Sequence, residues 1–118
     1  MPDENRAQMK LPPDCLIPAE KITRYLLVPL ARGDKSAFLS RAGYTQENPL
    51  QLLDDLRTQI LPLDAVAAGE NKFGGYFEVR GLLRGPNGVG LRVRTIWMTE
   101  HLSGSTKFVT LVPDKKMK

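Results

Sequence analysis

Four arginines fall on one side of a single stretch of this chain. Residues 76–98 read YFEVRGLLRGPNGVGLRVRTIWM, two alternating runs around a Pro-Asn-Gly turn. Alternation with that turn chemistry predicts a β-hairpin. Guanidinium groups hold phosphate or carboxylate through paired parallel hydrogen bonds, so an Arg row is a candidate anion surface.

The register decides which arginines meet. A two-residue Asn87-Gly88 loop would pair Leu83 with Arg92 and mix the two faces. A three-residue loop of Pro86, Asn87 and Gly88 pairs Leu83 with Leu91, Val79 with Thr95 and Phe77 with Trp97. Burial of one face enforces the second choice. Pro and Asn then fill the central positions of a type I turn, and Gly88 takes the left-handed bulge position. In this register Phe77 and Trp97 belong to the core. The other face holds Tyr76, Glu78, Arg80, Leu82 and Arg84 opposite Met98, Ile96, Arg94, Arg92 and Gly90. Arg80 faces Arg94, and like charges directly opposed on a sheet are destabilising. Relief can come from Glu78, from Asp54 or Asp55 on a helix, or from a bound anion. The plainer alternative is a solvated face with its arginines in water.

Other candidates are fewer. His101 is the single histidine, in a loop with Ser103, Ser105 and Thr106, and could serve as an acid or base. A plain surface histidine is the simpler reading, and no Ser-His-Asp order can be built around it. Asp54 and Asp55 are adjacent on a helix, point about 100° apart and form no carboxylate pair. With Glu47 they read as a solvated acidic face. No metal-ligand cluster and no phosphate loop stand out, so no cofactor and no metal are expected. Tyr76 on the Arg face could stack on a base, although a half-buried sheet tyrosine is commoner.

Three short helices precede the hairpin. Pro18 and Pro29 bound a helix over 18–28, with Ile22, Tyr25, Leu26 and Pro29 on one side and Lys21 and Arg24 pointing elsewhere. Asp34 is an N-cap for a helix over 35–42, and Gly43 its C-cap. Asn48, Pro49 and Gln51 form a capping-box pattern for a third helix, ended by Pro62. Residues 63–75 are a connection in which 65–68 reads as a short strand or a frayed turn. A further strand spans about 107–112, and Pro113 ends it at the sheet edge. Together these predict an α+β domain with three short N-terminal helices packed on one face of a three- or four-stranded antiparallel sheet. Residues 1–13 read as a flexible lead, 14–113 as the single domain and 114–118 as a basic tail.

The whole-chain charge agrees with a modest anion surface and no more. The 118 residues carry a net charge of +4. Lys115, Lys116 and Lys118 contribute much of it. Between Leu11 and Asp114, 12 lysines and arginines face 11 aspartates and glutamates. The basic balance is therefore largely a tail effect, while residues 72–100 are locally basic and 14–70 mildly acidic. Cys15 is the single cysteine, which excludes an internal disulfide. With an N-terminus unlike a secretory signal and no membrane-length apolar run, a cytoplasmic, non-membrane protein is expected.

Several blocks resemble an uncharacterised bacterial domain family of about this length. They are Leu11-Pro12, the run IPAEKITRYLL at 17–27, GDKSAFL at 33–39, AGY at 42–44, VRGLL at 79–83, GPNG at 85–88 and VRTIW at 93–97. Leu39 departs from the aromatic that often follows Phe38 there. The resemblance implies a stand-alone protein or a C-terminal module of larger bacterial or phage proteins, sometimes linked to toxin-type systems. Two functions stay open. One is a metal-independent RNase or RNA-binding toxin, by analogy with nucleases built of helices followed by an antiparallel sheet. Arg80, Arg94, Arg92 and Lys35 would surround the phosphate, and His101 or Glu78 would move the proton. The other is a non-catalytic interaction module, such as an antitoxin, immunity or accessory protein. It would dock a protein partner or a second copy through the Arg face or a strand edge. An enzyme acting on a small anionic substrate comes third.

Overall fold

A computed structural model describes residues 9–28 and 35–114. Three helical elements and five strands follow in order. They are β1 (Met9–Lys10), α1 (Ala19–Lys21, widening into a π-helical turn over Ile22–Leu26), α2 (Ser36–Ser40) and α3 (Pro49–Asp55, widening likewise over Leu56–Ile60). Then come β2 (Asp64–Glu70), β3 (Gly74–Arg84), β4 (Gly90–Glu100) and β5 (Thr106–Pro113).

The β3–β4 hairpin has the three-residue register. Leu83 faces Leu91, Val79 faces Thr95, Phe77 faces Trp97 and Arg80 faces Arg94. The Gly88 N–H donates to Gly85 O at 3.0 Å, and Gly88 has φ 89°. That is a type I turn closed by a left-handed glycine.

The sheet has five strands in the order β1-β2-β3-β4-β5, all antiparallel, rather than three or four. The additional strands come from weak sequence signals. Ala65, Val66 and Ala67 pair with Val79, Glu78 and Phe77, although alanines have little strand preference. Pairing to β3 supplies what local propensity lacks. Met9 and Lys10, within the stretch read as a flexible lead, pair with Ala65 and Asp64. On the far side, the Leu16 N–H donates to Thr106 O at 2.9 Å and the Phe108 N–H to Leu16 O at 2.8 Å. The β4–β5 ladder shifts between Ile96 and Trp97, which face Thr110 and Phe108. Val109 is the extra residue of that bulge, and bulges re-aim the side chains around them.

One sheet face carries the core. Val79, Leu83, Leu91, Val93, Trp97, Phe108 and Leu111 are buried with Leu26, Leu39, Leu52, Leu56 and Ile60 from the helices. Trp97 and Phe108 meet edge to face, centroids 5.4 Å apart. A polar chain on the sheet face is self-contained. Trp97 Nε1–H donates to Thr95 Oγ1 at 2.8 Å, and Thr95 Oγ1–H donates to Val79 O at 2.9 Å.

The helix ends differ from expectation in instructive ways. Pro18 sits just before α1, not inside it. The Asp34 cap lies outside the described residues. α2 ends as a Schellman motif, with Tyr44 N–H to Leu39 O at 3.3 Å, Gly43 N–H to Ser40 O at 3.0 Å and Gly43 at φ 95°. Asn48 does precede α3, but it forms no capping box. Its Oδ1 accepts from the Thr45 N–H at 2.8 Å and its Nδ2 donates to Gly43 O at 3.0 Å. The side chain is spent on the loop behind it. Gln51 reaches instead to Asp55 Oδ1 at 3.0 Å.

Asp55 is buried, which corrects its reading as part of a solvated acidic face. The buried Tyr44 hydroxyl donates to Asp55 Oδ2 at 2.6 Å, satisfying both groups. Burial, and then the Asp55 carboxylate, push the Tyr44 phenol well above its ordinary range.

Candidate functional site

The Arg face is real, but its charges are engaged. Glu78, on the same strand as Arg80 and diagonal to Arg94, bridges the two. Arg80 Nε donates to Glu78 Oε2, and Arg94 Nε lies 3.2 Å from Oε1. The second contact pairs charge without the alignment of a hydrogen bond. Asp114 adds a nearly inaccessible carboxylate 3.9 Å from Arg80 Nη1. Among the described residues, no helix carboxylate such as Asp54 or Asp55 lies within ion-pairing distance of either arginine. Arg92 is exposed and shares with Arg80, Gly81 and Asp114 a notch of only about 120 Å³. Tyr76 is half-buried, its hydroxyl facing Asn71 Nδ2 at 3.4 Å.

His101 is placed apart from this group. It follows the last residue of β4, and Glu100 pairs with Gly74, six rungs from the Arg80–Arg94 pair. At roughly 3.3 Å per residue that is about 20 Å. His101 Nε2 instead lies 3.1 Å from Asn71 O and 3.6 Å from Glu70 Oε2. The nearby Ser103 hydroxyl is committed to Glu100 Oε1 at 2.8 Å. Arg80, Glu78 and Arg94 therefore come together, while His101 and Lys35 do not join them.

Lys35 belongs to a different constellation. A cleft of about 580 Å³ lies between α1, the start of α2 and the bulged edge of β5. Pro18, Glu20, Lys21, Tyr25, Lys35, Val109 and Thr110 line it. The Lys35 ammonium donates to the Tyr25 hydroxyl at 2.7 Å and stands 4.8 Å from the ring centroid. The Lys21 ammonium lies 5.8 Å from the same centroid. Lys21 is therefore directed to Tyr25, not away from it. Their spacing of four on a helical segment puts them on one face, the only sequence signal for this pair. Among the described residues, neither ammonium is within ion-pairing distance of a carboxylate.

The electrostatics follow from that geometry. The Lys35 hydrogen bond, then Thr110, hold the Tyr25 phenol below its ordinary range, against a smaller opposing effect of burial. Thr110 Oγ1 is buried and has no hydrogen bond of normal geometry. The bulge at Val109 is what presents this hydroxyl beside Tyr25. Two ammonium groups and a polarised phenol around one concave surface suit an oxyanion.

Among the described residues, no cluster of His, Cys, Asp or Glu has the makings of a metal site. No helix there is long and apolar enough to cross a membrane.

Helices on one face of a five-stranded antiparallel meander, with a cationic cleft at one edge, define a small α+β domain. Residues 11–115 match the family described as a domain of unknown function, DUF6883, and the chain belongs to that family. No curated protein and no solved structure matches it.

Proposed function

We propose that this domain binds RNA through its phosphates, with the Lys21–Tyr25–Lys35 cleft as the principal contact. The observation that carries the reading is the convergence on one partly buried phenol ring of two ammonium groups that have no carboxylate within ion-pairing distance among the described residues. Cations beside an accessible ring are the pairing that holds single strands, charge on the backbone and stacking on the base. The exposed Arg92 and the Arg80–Arg94 pair would contribute secondary, longer-range attraction. The toxin-type setting implied by the resemblance belongs to this proposal.

Fluorescence anisotropy with a labelled single-stranded oligoribonucleotide, over a range of salt, tests it. Wild type should bind, and Lys21→Ala with Lys35→Ala should weaken binding and flatten the salt dependence. For single strands each lost phosphate contact lowers the log–log slope by about 0.7. Arg94→Ala should matter less, because Glu78 already engages it. Absence of wild-type binding at low salt would sink the proposal.

A protein-docking role is favoured by a separate observation. Phe73 and Leu102 are large, exposed side chains on neighbouring loops, 64% and 103% accessible. The His101 N–H donates to Phe73 O at 2.9 Å and ties those loops together. Such a tip suits an antitoxin, immunity or accessory protein, or a homodimer. Light scattering of wild type against Phe73→Ser with Leu102→Ser separates a homodimer formed through this tip from a surface that docks a different protein.

A further inference from the structure

We propose that the cleft is catalytic: Tyr25 takes the proton of an RNA 2′-hydroxyl and so drives metal-free transphosphorylation. The inference rests on the RNA-binding reading and deepens it. Three features carry it. First, Tyr25 lines the cleft and is only partly buried, whereas Tyr44 is fully buried. Second, its oxygen is held by an ammonium at 2.7 Å, which favours a phenolate able to accept a proton. Third, the two lysines flank the place where phosphate charge would grow, with no carboxylate paired to either among the described residues.

The step balances without any further reagent. The 2′-oxygen attacks the adjacent phosphorus and forms the O2′–P bond, while its proton passes to the Tyr25 oxygen. The P–O5′ bond breaks, and the leaving 5′-oxygen takes a proton from water. The products are a 2′,3′-cyclic phosphate and a free 5′-hydroxyl. Lys21 and Lys35 neutralise the non-bridging oxygens as the phosphorus becomes five-coordinate. Tyr25 then returns its proton to solvent. The charged groups facing the phenol are Lys21 from its own helix and Lys35 from the start of α2, with Glu20 also lining the cleft. Nothing in this scheme uses His101, which sits in the β4–β5 loop with Glu70 and Asn71.

The test uses the full chain in EDTA, with a fluorescent oligoribonucleotide and the same sequence as all-2′-deoxy DNA. Cleavage is followed by denaturing electrophoresis and binding by anisotropy. Wild type should cut the RNA to a 2′,3′-cyclic phosphate end and bind the DNA without cutting it. Tyr25→Phe keeps the ring and should lose about 10²- to 10⁴-fold in cleavage rate while binding RNA within a few-fold of wild type. The wild-type rate should rise with pH through the Tyr25 ionisation, and Tyr25→Phe should lack that limb. His101→Gln, outside the cleft, should cleave like wild type. Binding without cleavage, or cleavage undiminished in Tyr25→Phe, overturns the catalytic assignment and leaves RNA binding standing. No binding of either oligonucleotide overturns both.

Discussion

The Lys35 ammonium and the Tyr25 hydroxyl meet at 2.7 Å across a span of ten residues, joining the first helix to the start of the second. An ammonium donating to a phenol oxygen stabilises the ionised form, so Tyr25 should lose its proton below its ordinary 10.0. The chain has three tyrosines, and Tyr44 ionises far later. An ultraviolet phenolate titration, with Tyr25→Phe subtracted, isolates the early component. Lys35→Met should move that component upward. If it stays in place, the contact does not govern Tyr25.

Glu78 carries the opposite duty, keeping Arg80 and Arg94 tolerable as direct neighbours. Glu78→Gln should destabilise the fold by about 1 kcal/mol, a modest figure because both guanidiniums are more than a third exposed to screening water. Added salt should shrink the loss. Adding Arg94→Gln to the first substitution should restore stability. Denaturant midpoints at two ionic strengths give the answer, and a salt-independent loss would point to packing instead of charge.

Thr95 accepts the indole N–H of Trp97 inside the core. Thr95→Val is close in shape but strands that N–H and the Val79 carbonyl. The expected loss is about 1–3 kcal/mol, read from urea unfolding with the Trp97 emission as signal. A neutral outcome would mean that the core rearranges to satisfy both groups.

Tyr44 provides a pH signature. Its folded phenol keeps its proton far above 10.0, while the unfolded phenol ionises near that value. A raised folded value means the stabilisation is complete below the unfolded pKa. It is lost as pH rises beyond 10 toward the folded value, by about 1.4 kcal/mol per pH unit for one group. Tyr44→Phe should be less stable at neutral pH, by about 1–3 kcal/mol, because Asp55 keeps Gln51 but loses the phenol on Oδ2. The variant should also lack this alkaline slope. Equal slopes would assign the alkaline loss to other groups.

The hairpin was legible because a period of two and a Pro-Asn-Gly turn allow one register with a clean apolar face. Helix bounds were less so. The wide turns at Ile22–Leu26 and Leu56–Ile60 fall outside a 3.6-residue template, and Asn48 spends its side chain on the preceding loop. β2 was half hidden because Ala65 and Ala67 acquire strand geometry from β3 rather than from themselves. The cleft was missed as a unit. Tyr25 does pack against the core, as its apolar spacing predicts, but nothing local says that Lys35 returns to its hydroxyl. Nor does the sequence announce the bulge that sets Thr110 beside the phenol.

The hairpin turn does more than reverse the chain. The Asn87 N–H donates to Ala42 O at 3.3 Å and its Nδ2 to Arg41 O at 3.1 Å. A Cβ on Gly85 would stand 2.0 Å from Ala42 O. Carbonyls left over at the end of α2 are thus finished by a loop from the other half of the chain. Although Pro86, Asn87 and Gly88 are exposed, this tip is a poor place to splice a tag or open a new terminus. Cutting there would release the helix end and the sheet together, so the two halves of the domain should unfold as one event and neither should survive excision alone.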